Sequence, residues 1–234
     1  MGKNLIQQAR GKGTPTYLAP SFRYAGKALH FLATEETLGM ITELVHCPGH
    51  SAPLVRMKFG SSLALSIAPE GVRVGEMVKA HTTEIALGNS VILKDIPEGT
   101  FIYNVEATPG DGGKFVRASG TFAKVLSRTE KGVLVEMPSK KTKTFSNKCL
   151  ASIGIVAGGG RVEKPFLKAG RRFYKQMARN KKYPDISGGA QNAVDHPFGN
   201  KRSSRKGHAV PASRHAPPGR KVGMIAARRS GRKK

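Results

Sequence analysis

Acidic residues are missing from both ends of this 234-residue chain: none precedes Glu35, none follows Asp195, and 13 of the 15 lie between Glu35 and Glu163. Cysteine is scarce. Cys47 and Cys149 are the only two, too few for the disulfide framework of a small secreted protein, so a reducing, intracellular setting is expected. No apolar run approaches the roughly 20 residues needed to span a bilayer, and the N-terminus lacks the apolar stretch of a signal peptide. A membrane partner is therefore not expected. No repeat of fixed period is apparent either.

What is present is cationic charge. Lys and Arg number 40 against 15 Asp and Glu, a formal charge of +25, and such an excess implies a partner of dense negative charge. Its placement divides the chain. From Glu35 to Gly170 there are 17 basic and 13 acidic residues, whereas from Arg171 to Lys234 there are 18 basic residues against Asp185 and Asp195 alone. The second stretch has too few aliphatic residues to offset the entropy of ordering, and by itself it is expected to be disordered. Residues 1–34 are similar, with Lys3, Arg10, Lys12, Arg23 and Lys27 among Gly, Gln and Pro. Two basic arms flanking one core are expected.

The core, from about Met40 to Val156, reads as all-β. Val55, Met57 and Phe59 alternate with Arg56 and Lys58, and Leu63, Leu65 and Ile67 alternate with Ala64 and Ser66, so each run can bury one face. Further runs lie at 72–78, 90–93, 101–105, 115–119, 133–137 and 152–156. Turn chemistry separates them at Ala68–Gly71, Ile96–Gly99 and Thr108–Gly113. Short strands at this spacing suit a sandwich, or two small barrels joined near Ile85–Asn89, and the second is favoured. The expected boundaries are 1–34, 35–86, 87–170 and 171–234. A short helix is expected within Lys168–Arg179, and nothing regular after Tyr183, where Pro197, Pro211, Pro217 and Pro218 favour extended backbone.

The C-terminal arm interleaves its cations with Phe173, Tyr174, Tyr183 and Phe198. Cations neutralise phosphates, and aromatic rings and guanidinium planes stack on unpaired bases, so the combination suits irregular RNA. The residues expected to meet RNA are Arg10, Lys12 and Arg23 at the N-terminal side and Lys114, Arg117, Arg161, Lys164 and Lys168 around the core. In the C-terminal arm they are Arg171, Arg172, Lys175, Arg179, Asn192, Asp195, His196, Arg202, Arg205, Arg214, Arg220, Lys221, Arg228 and Arg229.

Other motifs carry weaker chemistry. Gly110–Phe115 lacks the spacing of a phosphate loop; its glycines, like Gly158–Gly160, supply positive φ in turns or let amides approach an RNA phosphate. Cys47 and His50, with His46 beside them, make half a metal site at most, and a plain turn is expected. Asp195 and His196 are adjacent on what should be extended chain and point apart, so Asp195 is badly placed to orient the imidazole and an enzyme is not expected. A basic architectural protein of DNA would also explain the charge, and a nucleic-acid enzyme using His196 is the third reading.

The stretches NAVDHPFG at Asn192–Gly199, SRHAPPGRKVG at Ser213–Gly223, NVEATPGDGGKFVRAS at Asn104–Ser119, ASIGIVAGGGRVEKPFLKAG at Ala151–Gly170 and RGKGTPTYLAPSFRY at Arg10–Tyr24 together resemble the universal large-subunit ribosomal protein number two family, in its archaeal or eukaryotic form. The resemblance implies an oligonucleotide-binding-type barrel followed by an SH3-like barrel, with both arms threaded into large-subunit rRNA. It also implies neighbouring ribosomal proteins and the small subunit as partners, and roles in subunit association, tRNA placement and assembly of the peptidyl transferase region. Asp195, His196 and Pro197 would lie on a loop reaching towards that centre. No cofactor is implied, apart from structural magnesium that rRNA could share. The chain departs from the family pattern at Asn200-Lys201-Arg202, where a run of glycines is usual, and at Ser187–Gln191. The longer side chains at 200–202 should restrict the loop.

Overall fold

The computed structural model describes residues 2–33, 35–130, 132–202 and 210–228. They fall into two compact units, one of Ser21–Leu167 and one joining 2–20 to 168–228. The chain is mostly sheet with few helices, as the all-β expectation had it.

The first unit carries ten strands: β1 (Thr37–Val45), β2 (Leu54–Phe59), β3 (Ser62–Ile67), β4 (Met77–Thr82), β5 (Ser90–Ile92), β6 (Phe101–Tyr103), β7 (Ala123–Thr129), β8 (Gly132–Glu136), β9 (Thr142–Phe145) and β10 (Leu150–Ile153). They hydrogen-bond in the order β3-β2-β1-β4-β5-β10-β6-β7-β8-β9. β1, β2 and β3 pair antiparallel in sequence, as do β6, β7, β8 and β9. β4 pairs antiparallel with β1 rather than with β3, β5 runs parallel to β4, and β10 returns to pair antiparallel with both β5 and β6.

The alternation read in the sequence holds for β2, where Val55, Met57 and Phe59 are buried while Lys58 is exposed. Phe59 lies flat across β1 because Gly39 leaves room: a Cβ there would collide with the ring. The ring stacks on Phe31 with centroids 4.2 Å apart. Around it Ile41, Val55, Met57, Ala68, Val78 and Ala80 form one buried cluster, and a larger cluster gathers Leu54, Ile67, Val91, Ile102, Tyr103, Val125, Val133, Val135 and Val156. Each such aliphatic side chain contributes about 1.5–3 kcal/mol by leaving water.

Several expected runs shift. The 72–78 run is a strand only from Met77, because the Glu76 carboxylate accepts the Arg73 amide at 3.0 Å and Gly75 turns at φ +92°. The 115–119 run is reduced to a single bridge between Val105 and Phe115, since Val116 at φ +54° breaks the extended line. The 152–156 run ends at Ile153, where Gly154 takes φ +120°.

In the second unit, helix α1 spans Ile6–Arg10 and α2 spans Ala169–Met177, inside the window where a helix was expected. Regular structure does occur past Tyr183, against expectation: two-residue strands β11 (Pro211–Ala212) and β12 (Met224–Ile225) pair in parallel, and the Ala226 amide donates to the Ala212 carbonyl at 2.8 Å, an acceptor that Pro211 does not disturb. Among the described residues, no helix is long and apolar enough to cross a membrane.

Candidate nucleic-acid interface

In the β unit the Gly-rich stretch after β6 wraps around a buried carboxylate. Glu106 is fully buried, and its two oxygens accept the amides of Gly112 at 3.0 Å, Gly110 at 3.1 Å and Leu150 at 2.9 Å. Asp111 takes the amides of Ala107, Thr108 and Gly113 at 3.0, 3.2 and 2.9 Å. Its partial desolvation is outweighed by these bonds, which hold the carboxyl below its ordinary range. Of the two roles read for the glycines, the structure therefore gives the first. Gly110, Gly112 and Gly113 have φ of +82°, +77° and +97°, and their amides bond to carboxylates of the protein itself.

Beside this loop His30 is buried and its Nε2 meets the Asn104 carbonyl at 2.5 Å. Burial lowers the imidazole below its ordinary value, so it stays neutral and Nε2–H donates. Arg117 donates to the carbonyls of Gly113 at 2.5 Å and Ala28 at 2.7 Å, tying the segment before β1 to the loop. Burial lowers its pKa, with the Asp111 charge opposing. Arg161 donates from Nε to Ser119 Oγ at 2.6 Å. Lys114 and Lys164 are exposed, and Arg23 lies over the exposed Phe22 ring at 5.3 Å. Near β1, His50 Nδ1 approaches Cys47 Sγ at 3.2 Å in the turn leading to β2. Among the described residues, no group of three or more His, Cys, Asp or Glu is placed to hold a metal ion.

The second unit holds most of the expected RNA-facing residues. Arg10 donates to the Asn180 carbonyl at 2.6 Å and lies 5.9 Å from the Tyr17 ring. Lys12 is exposed, as are Lys168, Arg171 and Arg172, and Arg172 sits over Tyr183 at 5.2 Å. Lys175 and Arg179 are half-buried. Asn192, Arg202, Arg214, Arg220, Lys221 and Arg228 are exposed; Arg205 and Arg229 lie outside the described residues.

The Asp195–Pro197 segment is not extended. The Asn192 carbonyl accepts the amides of Asp195 at 3.0 Å and His196 at 3.1 Å, which coils the chain into a turn, and the Gly199 amide closes onto the His196 carbonyl at 2.9 Å. His196 Nδ1 accepts the Phe198 amide at 3.0 Å, which leaves the proton on Nε2 in the neutral ring. The imidazole lies so close over Gly188 that a Cβ there would collide with it, and Phe198 meets it edge-on at 5.3 Å. Burial and then the Lys182 charge lower its pKa. Asp195 pairs with Lys3 Nζ at 3.5 Å, and the Lys3 amide donates to Val194. The carboxylate and the imidazole thus have separate partners, although the cause is a turn rather than an extended chain. At the family departure, Asn200 adopts φ +94°, a glycine-like conformation that asparagine tolerates.

The buried polar seat of Glu106, His30 and Asn104 was missed by sequence reasoning. Its one signal was the period-2 step from Asn104 to Glu106 on either side of buried Val105.

An all-β body with strongly cationic terminal segments defines a class, the highly basic protein on a sheet scaffold. Comparison with known proteins narrows it. Residues 86–218 match the family described as "Ribosomal Proteins L2, C-terminal domain". The proteins named "Large ribosomal subunit protein uL2" of Archaeoglobus fulgidus and Methanocella arvoryzae are 51% and 48% identical, each covering 99% of both chains. That of Methanothermobacter thermautotrophicus is 46% identical over 100% of both. The chain belongs to this ribosomal protein family, in its archaeal type, a family of structural proteins and not of enzymes.

Proposed function

We propose that this protein is a structural constituent of the cytoplasmic large ribosomal subunit that binds large-subunit rRNA through its arms and fixes its register through its β unit. The observation that carries this is charge separation: a near-neutral sheet body from Glu35 to Gly170, and ends without an acidic residue before Glu35 or after Asp195. Phosphate contacts supply affinity, while a folded body supplies position. A pair of barrels, an oligonucleotide-binding-type one followed by an SH3-like one, belongs to this reading; the cluster around Ile41, Val55, Met57 and Val78 lies within the first, while the larger cluster joins Leu54 and Ile67 to the strands of the second.

On this reading Arg171, Arg172 and the other exposed cations neutralise rRNA phosphates, and neighbouring ribosomal proteins and the small subunit are partners. Subunit association, tRNA placement and assembly of the peptidyl transferase region are the roles it serves. The loop of Asp195, His196 and Pro197 reaches towards that region as a shaped surface, with its imidazole held neutral between Gly188 and Phe198. Any magnesium is shared with rRNA rather than held by the protein alone.

Binding to a large-subunit rRNA fragment across a salt series is the test. If on the order of ten phosphates are contacted, the log-log slope lies near −7 to −9. A slope near zero, or equal competition by duplex DNA at fixed salt, would sink the proposal and favour a general architectural role.

A further inference from the structure

Where β7 runs back along β8, the β unit opens a groove of about 420 Å³. Its wall is apolar: Phe122, Met137 and Pro138 line it, and Phe122 stays 42% exposed although it meets Phe101, itself 43% exposed, edge-on at 4.7 Å. Two aromatic rings left open to water side by side form a surface on which a further ring can stack. The rim is charged. Lys124 and Lys140 stand on it together with Glu136, the residue paired with Lys124 across the two strands. Among the described residues neither Lys124 nor Glu136 forms an ion pair, so both head groups are available to a ligand.

The loop after β8 adds a second, independent observation. It is closed by the Lys140 amide on the Met137 carbonyl at 2.8 Å and the Met137 amide on the Lys141 carbonyl at 2.9 Å. The closure holds Lys140 at φ +61°, a conformation in which glycine or asparagine would sit with less strain. The closed turn thereby fixes the backbone of a cation on the rim of the groove.

We propose that this groove holds one unpaired nucleotide of the bound RNA. The base stacks against Phe122 and Met137, its phosphate sits between Lys124 and Lys140, and its hydrogen-bond donors face Glu136. A carboxylate accepts two parallel hydrogen bonds from the N1–H and N2–H of guanine, whereas adenine offers one amino group beside an acceptor nitrogen. The groove therefore selects guanine. The inference rests on the RNA-binding reading above and assigns it a base-specific point of contact on the β unit, apart from the cationic arms.

The test uses the full chain carrying methyl-labelled methionine, with the Met137 resonance assigned by its loss in Met137→Leu. Guanosine 5′-monophosphate should shift that resonance saturably, adenosine 5′-monophosphate should need several-fold more ligand, and ribose 5-phosphate should leave it in place. Phe122→Ala should abolish the shift with the other methionine resonances still dispersed. Lys140→Gly, which keeps the loop conformation and removes the charge, should weaken it several-fold, and Glu136→Gln should erase the preference for guanine. A Met137 resonance unmoved by nucleotides, moved equally by ribose 5-phosphate, or moved only by an acidic peptide overturns the proposal. Retention of a large-subunit rRNA fragment by the same sample separates the two failures. If the fragment binds while Met137 stays still, the groove alone is wrong; if it does not bind, the RNA-binding reading fails as well.

Discussion

Glu106 shows how one side chain can set the shape of a whole loop. Three amides converge on its carboxylate, and replacing one oxygen with an NH2 group would set donor against donor in a site without water access. Glu106→Gln should cost about 1–3 kcal/mol, read as a lower urea midpoint at unchanged slope; an unchanged midpoint would mean the loop holds itself. His30 gives the β unit an acid sensitivity. Its folded pKa lies below 6.5 because burial disfavours the charged ring, with Asn104, Glu106 and Asp111 opposing and Arg117 assisting. Above 6.5 neither the folded nor the unfolded chain holds that proton, and this part of the stability is complete. As pH falls from 6.5 through the lowered value, the unfolded chain takes up a proton sooner, and that stability is lost. Thermal unfolding from pH 7 to pH 5 should show a falling midpoint that His30→Gln flattens. Beyond the period-2 step from Asn104 to Glu106, these residues were illegible in the sequence, because the partners of a buried Glu or His are backbone amides and carbonyls that only the fold assembles.

At the scale of elements, legibility followed contrast. The β2 run alternates cleanly and was readable; in β3, which lies at the edge of the sheet, the expected alternation is not seen, since Leu63 is exposed and Ser66 buried, and β7 and β9 carry Lys124, Arg128, Lys143 and Thr144 exposed and hide a short apolar set among polar residues. The 115–119 run failed as a strand for a different reason, the positive φ of Val116, which no propensity foretells for a β-branched residue. Helix α2 was readable from composition, yet it is poorly supported locally. Lys168 at its N-cap makes no side-chain bond, no acidic residue lies in its first turn, and Arg171 and Arg172 face the positive end of the backbone dipole. A bound polyanion would reverse that penalty. Arg171→Ala together with Arg172→Ala should lower the magnitude of the salt slope for an rRNA fragment by about 2 while raising the helix content of the free chain. Titration with retention by filter, and circular dichroism, check the two halves.

For the whole molecule, the charge map was the most legible property, since it follows from composition alone. The turn at Asn192–Gly199 was not, because it depends on which carbonyl accepts which amide. Trypsin acting on the free chain should leave a resistant fragment near Ser21–Leu167, which holds the buried Ala28 and His30, and digest the ends quickly, and addition of rRNA should protect them. Ends that resist digestion without RNA would contradict the expectation that the C-terminal stretch is disordered by itself. The position of β10 has one more implication, for synthesis. The last strand of the body to be made is laid between β5 and β6, so every strand on the β6 side connects to the earlier ones through a piece of chain that is translated after all of them. A nascent polypeptide stopped before Leu150 can zip its hairpins but has no central seam, and its first and second halves should behave as separate, protease-sensitive pieces until that segment emerges.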